Sequence, residues 1–353
     1  MEEQKKYNYG IDIIRIIAMM LVVVVHSTTF NNWISSEVSI VNFFVGAGRF
    51  LAFTCVPLFI VLTGYLTKNK TPNAKYYKKI IRVLLEYLIC SVLIGIFKIF
   101  YLNQEFTIWT FCKGILYFNL ADYSWYINMY IGLFLLAPFF NILYNNLANF
   151  KIKTLLIIIL VTVFALPGTT KIFSWNYWTV GYPIMYYFIG CYLKDVNLEF
   201  KRKNLYMFLA LIFLIGVETL ITIFQVDFIV TQNYENVFCV FVTVLLFLLL
   251  KDLFVIRKNK VVKLCRAIAN VSLSFFLLSC IFDNIFSIEV FYKLKLVSFA
   301  ERLPHLFYTV PLTIVGSIIL ALIVHFVTGL ISKIIDKLIT KVFCKKKENL
   351  SQE

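Results

Sequence analysis

Two side chains with useful chemistry lie in the first long apolar segment of the chain. Residues 10–27 read GIDIIRIIAMMLVVVVHS, so ten residues separate Arg15 from His26. Eleven helical steps of about 100° end within roughly 20° of three full turns, at a rise of about 1.5 Å per residue. We therefore expect both side chains on one helix face, about 16 Å apart along the axis. A guanidinium binds anions and an imidazole is a base near neutral pH, so this face could hold an anionic substrate and activate a nucleophile.

Each of the two residues also has a plainer interpretation. Arg15 could extend to lipid phosphates, or it could pair with Asp12 one turn away. His26 could be a boundary histidine in contact with water. An extended thioester donor lying along the face, with its phosphates on Arg15 and its thioester near His26, is the interpretation that uses both residues.

Other ionisable residues in apolar segments are candidates because charge is costly at membrane depth. Arg49 and Glu218 are expected to be ion-pair partners, and Asp283 is expected to be neutral and hydrogen-bonded. A structural role is favoured for each of them, and for His325 near the end of the last apolar segment.

A basic loop precedes the third apolar segment. In it, Lys79 and Arg82 are spaced by about one helical turn, which suits a polyphosphate. Ordinary topological charge explains them equally well, and Glu86 could neutralise Arg82. Further along, Ser124, Trp125 and Tyr126 begin an apolar segment with aromatic and hydroxyl groups, as expected of a sugar-binding ledge or of an interfacial aromatic belt.

Membrane-spanning helices must position all of these residues. Of the 353 residues, 61% are apolar and 15% are charged, and the mean hydropathy is +0.83. Soluble domains have about 45–50% apolar and about 25% charged residues. A span needs about 20 mostly apolar residues. The sequence thus predicts an all-α polytopic membrane protein with about ten spans, at 11–30, 43–66, 80–101, 124–145, 152–168, 178–194, 204–224, 234–253, 268–287 and 306–332.

The basic residues orient these spans. Of the 34 Lys and Arg, 26 fall in the termini and the even-numbered loops, and only 6 fall in the odd-numbered loops. Because cytoplasmic loops are enriched in Lys and Arg, both termini are predicted to be cytoplasmic. The net charge of +15 therefore serves membrane topology and does not indicate binding to nucleic acid.

One domain accounts for nearly the whole chain. Residues 7–335 are predicted to form a single transmembrane domain, followed by a basic cytoplasmic tail at 336–353. The eight cysteines are scattered, without the paired spacing of a metal site or a disulfide framework, and are expected to fill apolar spans. No metal site is predicted.

Several segments together resemble the membrane-bound acyltransferase 3 family, over about residues 7–335. The Arg15–His26 pair matches the family's R-x10-H motif in spacing and in position on the first helix. The segment CVPLFIVLTGYL (55–66) is similar to the end of its second helix, and KKIIR (78–82) resembles its basic motif with Lys for the first Arg. WYINMYIGLFLLAP (125–138) and GYPIMYYFIGCYL (181–193) resemble two later helices.

The resemblance implies an activity. Acyl-CoA, most often acetyl-CoA, would enter from the cytoplasm as the donor substrate, and no bound cofactor is expected. The acyl group would pass to a sugar hydroxyl of a surface or exported polysaccharide, or of its lipid-linked precursor. His26 would be the essential base or acyl carrier, and Arg15, Lys79 and Arg82 would hold the CoA phosphates.

The chain also departs from the family pattern. Ser279 stands where many members have a second histidine, and Tyr130 stands where another branch has a glutamate. A transporter or flippase for a lipid-linked glycan, coupled through Asp283, Glu86 or Glu218, is the main alternative, and a non-catalytic component of a glycan-synthesis complex is another. The richness in Lys, Ile, Asn, Phe and Tyr suggests a bacterial chain from an AT-rich genome, in the cytoplasmic membrane.

Overall fold

A computed structural model describes residues 7–31, 33, 38–170, 176–226, 229, 232–253, 255–256 and 260–350; side chains are described there except at 7–8, 176, 252–253, 255–256 and 335–350. The described residues are almost entirely helical, which confirms the predicted all-α class. The α-helices are α1 Gly10–Thr29, α2 Ile40–Phe53, α3 Cys55–Thr67, α4 Ala74–Tyr77, α5 Lys79–Phe100, α6 Ile108–Leu116, α7 Trp125–Asn145, α8 Phe150–Phe164, α9 Leu166–Thr169, α10 Tyr182–Asp195, α11 Lys203–Ile223, α12 Val237–Leu253, α13 Lys260–Ala269, α14 Ser272–Phe286 and α15 Phe299–Leu350.

Four short elements complete the described secondary structure. A 3-10 helix at Asn176–Gly181 precedes α10, and a π-helix at Ser287–Tyr292 extends α14. Two-residue strands, β1 Tyr7–Asn8 and β2 Val255–Ile256, pair in antiparallel fashion. This pairing fastens the start of α1 to the end of α12.

Eight helical segments of the described chain are long and apolar enough to cross a membrane. They correspond to eight of the ten predicted spans. The other two predicted spans, 178–194 and 234–253, coincide with α10, which has 14 residues, and α12, which has 17. Most of α10 is buried among other helices, so its surface meets protein more than lipid.

The second predicted span is broken in the middle. α2 ends and α3 begins at Thr54, whose hydroxyl donates to the Leu51 carbonyl oxygen at 2.7 Å. Pro57 follows in the first turn of α3 and cannot donate a backbone hydrogen bond to the preceding turn. The backbone of Thr54 stays in the helical region (φ −70°, ψ −8°), so α2 and α3 together still form one apolar segment long enough to span a membrane.

Glycines bring α3 and α10 into close contact. A Cβ on Gly64 would collide with the Tyr187 carbonyl oxygen, and one on Gly190 would collide with the Val61 carbonyl oxygen. Small residues allow such backbone contact between membrane helices, where van der Waals packing drives association. The two segments singled out in the sequence, 55–66 and 181–193, thus form one rigid pair.

Contacts at the end of the bundle where α1 begins link the loops predicted to be cytoplasmic. Lys68 and Lys153 both pair with the Asp195 carboxylate, with Lys153 at 3.1 Å. Gly10 packs against the backbone of Lys251. We call this the inner end.

Contacts at the opposite end link the loops predicted to lie outside. Arg302 contacts the carbonyl oxygen of Phe30 at 3.4 Å, Tyr101 donates to Glu289 at 2.8 Å, and Lys98 pairs with Asp122 at 2.6 Å. We call this the outer end. The described loops therefore divide between the two ends as the charge pattern predicts.

Two further helical segments complete the description of the bundle. Residues 106–120 contain the short helix α6, which packs Phe111 against Gly95 of α5. The last helix does not end near 332 but continues to Leu350. The predicted tail at 336–353 is thus helical through residue 350, and its last three residues lie outside the described part.

Candidate active site

A cavity of about 320 Å³ opens within the inner half of the bundle, and we call it the chamber. Its lining combines two opposite charges with hydroxyl and aromatic side chains. α1, α3, α5, α7 and α14 all contribute to it. The lining residues are Arg15, Phe59, Leu62, Thr63, Leu66, Thr67, Val83, Glu86, Tyr126, Tyr130, Ala269, Asn270, Ser272, Leu273 and Phe276.

Arg15 is the cation of the chamber. Its side chain is half-buried and lies near Tyr126 and Tyr130 of α7. Its charge acts on Asp12, but no ion pair between the two residues is made in the described chain, so the expected alternative of an Asp12 salt bridge is not realised. The guanidinium is left facing a cavity large enough for part of a substrate.

Glu86 is the chamber's buried carboxylate. It lies on α5 and accepts a hydrogen bond from the Ser274 hydroxyl of α14. Its carboxylate therefore points into the bundle. To neutralise Arg82, which was the expected alternative, it would have to point along the surface instead. The chamber can receive a ligand with both anionic and hydrogen-bonding groups.

His26 lies in a separate, smaller space at the outer end, which we call the crevice. The crevice has a volume of about 30 Å³, enough for one or two waters by the usual size criterion. Three helices, α1, α14 and α15, enclose it with the π-helix. The lining residues are Val23, His26, Ser27, Phe30, Asn31, Asp283, Phe286, Ser287, Phe291, Leu306, Thr309, Val310 and Thr313.

The imidazole of His26 faces a tyrosine and a carboxylate. The Tyr123 ring stacks on it with centroids 3.9 Å apart and planes at 22°. Asp283 Oδ2 lies 4.0 Å from His26 Nδ1, which is buried and has no hydrogen-bond partner. Only 15% of the His26 side chain is exposed, so the ring is nearly dry.

Tyr123 and Asp283 are joined to each other. The Tyr123 hydroxyl donates to Asp283 Oδ2 at 2.8 Å. Burial, together with the neighbouring Asp283 charge, raises the pKa of the Tyr123 hydroxyl far above its ordinary value, so this group remains a donor. The three side chains form one cluster in which a base, an acid and a fixed donor meet.

An aromatic partition separates the chamber from the crevice. Tyr126 and Phe276 line the chamber with ring centroids 5.0 Å apart, and Tyr123 lies 5.9 Å from Phe276 on the His26 side. We call these three rings the partition. Arg15 and His26 therefore both face α14 and the start of α7, but in the described structure they line different spaces.

Arg49 holds the end of α1 that carries His26. Its guanidinium donates to the hydroxyls of Thr28 at 2.6 Å and Thr29 at 2.9 Å, and to Gln232 Oε1 at 3.0 Å. A cation is favourable near the C-terminus of a helix. No ion pair with Glu218 is made in the described chain, so the expected Arg49–Glu218 pair is wrong.

Lys79 and Arg82 lie at the inner end and are exposed. Arg82 Nη2 lies 3.2 Å from His325 Nε2 of α15. Neither basic residue is among those that line the chamber, although Val83, the neighbour of Arg82, is. They lie close in sequence to the lining residue Val83 but do not contribute to the described lining of the chamber.

The three predicted sugar-binding residues lie in different surroundings. Ser124 is fully buried, and its hydroxyl donates to the carbonyl oxygens of Phe118 and Ala121. Trp125 is 39% exposed and stacks on Tyr234. Tyr126 is buried and belongs to the chamber and the partition. The structure does not bring these three side chains together as one ledge.

Sequence reasoning did not connect Tyr123 or Asp283 with His26. Asp283 was one of several buried acids, and Tyr123 preceded the segment that resembled a ledge. One signal was present: Asp283 lies one helical turn after Ser279, the position where a family histidine is missing. The packing of α14 against α1 was needed to show which acid meets the histidine.

A comparison with protein-family models identifies the family of the chain. The model of the acyltransferase domain family, acyltransferase 3, matches residues 8–330. Because the match covers most of the chain, the protein belongs to this family and is a membrane acyltransferase. The comparisons found no significant match among the curated proteins or the solved structures.

Proposed function

We propose that this protein is a membrane O-acyltransferase that moves an acetyl group from cytoplasmic acetyl-CoA to a sugar hydroxyl. The observation that carries the proposal is the order of the two spaces along α1: a charged chamber at the inner end and a histidine in a nearly dry crevice at the outer end. A donor and an acceptor that approach from opposite sides would need this order.

The chamber suits the arm of the donor. Small-molecule sites measure about 300–1,000 Å³, so a chamber of about 320 Å³ fits a slender arm and leaves a nucleotide outside. Arg15 binds a phosphate or the polar groups of the arm. Lys79 and Arg82, exposed at the inner end, bind the outer phosphates as point charges.

His26 carries out the proton transfer. The acceptor hydroxyl gives its proton to the imidazole, and its oxygen forms a bond to the thioester carbonyl carbon. The carbon–sulfur bond then breaks, and the CoA thiolate takes the proton from the imidazolium. In the relay version, His26 forms the bond to the acyl carbon as the carbon–sulfur bond breaks and the CoA thiolate leaves. The acceptor hydroxyl oxygen then takes the acyl group from the imidazole, and the hydroxyl proton goes to the thiolate.

The crevice favours a small acyl group. At about 30 Å³ it excludes a long acyl chain. Its polar lining, with Ser27, Asn31, Thr309 and Thr313, offers hydrogen bonds of the kind a sugar hydroxyl uses. Trp125, partly exposed at the outer end, is proposed to stack on a sugar ring of the same acceptor.

The acceptor is proposed to be a surface or exported polysaccharide, or its lipid-linked precursor, in a bacterial cytoplasmic membrane. Donor entry from the cytoplasm rests on the distribution of basic residues. The partners are then acyl-CoA, a carbohydrate and membrane lipid.

The purified protein in lipid vesicles tests the proposal against the transporter alternative. Vesicles with radiolabelled acetyl-CoA at the inner end should release free CoA and label glycan supplied at the outer end. A transporter would instead move a lipid-linked glycan with no need for acetyl-CoA. Deletion of the chain should also remove an O-acetyl signal from the NMR spectrum of the surface polysaccharide; an unchanged spectrum would contradict the proposed acceptor.

A further inference from the structure

A carboxylate, Asp283, lies beside His26 but has no role in the reaction proposed above. Asp283 Oδ2 lies 4.0 Å from His26 Nδ1, and that nitrogen has no hydrogen-bond partner although it is buried. Buried polar atoms are nearly always paired, so an unpaired one beside a carboxylate calls for an explanation. A closure of about 1 Å would bring the two atoms into hydrogen-bond distance.

Resting structures often hold catalytic groups slightly too far apart, and the groups draw together when substrate binds. Since Nδ1 faces Asp283, Nε2 is the nitrogen left for the substrate. A carboxylate on one side of an imidazole fixes its orientation and stabilises the positive charge that forms when the other nitrogen accepts a proton. Asp283 is placed to do this for His26.

Tyr123 fixes the carboxylate. Its hydroxyl donates to the same Oδ2 at 2.8 Å, and its ring stacks on the imidazole at 3.9 Å. One side chain therefore restrains both the acid and the base. Lys98 and Asp122, whose charges act on Cys280 in the turn before Asp283, pair with each other. No lysine or arginine pairs with Asp283 in the described chain.

From this geometry we infer that Asp283 is the positioning residue of His26 and that Tyr123 holds Asp283 in place. In the reaction, His26 Nδ1–H donates to Asp283 Oδ2 while Nε2 takes the proton of the acceptor hydroxyl. Asp283 stays ionised throughout, in contrast to the neutral form expected from the sequence, because the Tyr123 hydroxyl and His26 Nδ1–H both donate to it. The proton leaves with the CoA thiol. This inference rests on the proposed function of His26 as the base.

The outer end offers a matched control pair. Tyr101 donates to Glu289 at 2.8 Å, the same distance as Tyr123 to Asp283. Glu289 lies on the π-helix that follows α14, but neither Tyr101 nor Glu289 is among the residues that line the crevice. Asp283→Asn removes a carboxylate that accepts from a tyrosine and lies beside His26. Glu289→Gln removes a carboxylate from the same kind of hydrogen bond, away from His26.

The experiment uses native membranes that carry each full-length variant in place of the original chain, with radiolabelled acetyl-CoA as the probe. For Asp283→Asn, the maximal transfer rate should fall by at least about 10-fold, less than for His26→Ala, because part of the general-base effect of about 10²–10⁴ is lost. The apparent KM for acetyl-CoA should change less than about twofold, since Asp283 does not line the chamber. Tyr123→Phe should cause a smaller loss in rate than Asp283→Asn.

Rescue separates positioning from folding. Asp283→Glu should regain most of the rate, and Glu289→Gln and Tyr101→Phe should leave it unchanged. Full activity of Asp283→Asn with an inactive His26→Ala variant would overturn this inference alone. Equal inactivity of Asp283→Asn and Asp283→Glu, with normal elution of both proteins in size-exclusion chromatography, would also overturn it. Retained activity of His26→Ala would instead refute the proposed function.

Discussion

The chamber and the crevice share α1 but differ in size, charge and dryness. The chamber measures about 320 Å³ and contains the opposite charges of Arg15 and Glu86. The crevice measures about 30 Å³ and surrounds one imidazole that is 15% exposed. The difference indicates a division of labour: binding a large anionic donor needs volume and charge, whereas a proton transfer benefits from a site with little water.

Arg15 should matter for donor binding more than for the chemical step. A hydrogen bond to a charged group contributes about 1.5–3 kcal/mol. For Arg15→Ala we therefore expect the apparent KM for acetyl-CoA to rise by about 10-fold or more, with a smaller change in the maximal rate. Steady-state transfer assays in native membranes measure both. An unchanged KM would remove the chamber from the donor path; Lys151→Gln, at an exposed inner-end site, is the control.

The sequence predicted the positions of Arg15 and His26 on α1 but not their surroundings. Spacing alone was enough to put Arg15 and His26 on one face, because helical periodicity depends only on the chain. The partition could not be predicted, since Tyr123, Tyr126 and Phe276 come from segments about 150 residues apart. The expected Arg49–Glu218 pair failed for the same reason: hydroxyls on α1 proved nearer to Arg49.

The overall fold was more predictable than the site. Hydropathy and basic loops anticipated the all-α membrane class, and eight of the ten predicted spans are long apolar helices. The short length of α10 was not predicted. Its close packing against α3 depends on Gly64 and Gly190, which are far apart in the sequence and adjacent in the fold. The break at Thr54 had only Pro57 as a signal.

The partition should keep the donor arm and the crevice apart until substrate is in place. Phe276→Ala should join the two spaces and admit water, so acetyl-CoA hydrolysis without acceptor should rise several-fold relative to transfer. Free thiol release against glycan labelling measures this ratio. Phe282→Ala, which removes a ring packed on Gly316 of α15, is the control. An equal ratio in both variants would show that the partition does not separate the spaces.

The smallest effects are expected at the exposed inner end. Lys79→Gln and Arg82→Gln should each raise the KM for acetyl-CoA only about two- to fivefold, because solvent and salt screen exposed charges. The effect should shrink as the salt concentration rises, whereas that of Arg15→Ala should persist. Titration of the transfer rate with acetyl-CoA at two salt concentrations tests this. A larger loss for Lys79→Gln than for Arg15→Ala would reverse the proposed roles.

The central claim is that the acyl group is transferred at His26, and a single comparison tests it most directly. Vesicles with the original protein or with His26→Ala, at equal amounts of correctly eluting protein, receive the same radiolabelled acetyl-CoA and glycan. We predict that labelling of the glycan falls by at least about 100-fold in the variant. Labelling at the original rate would contradict the account.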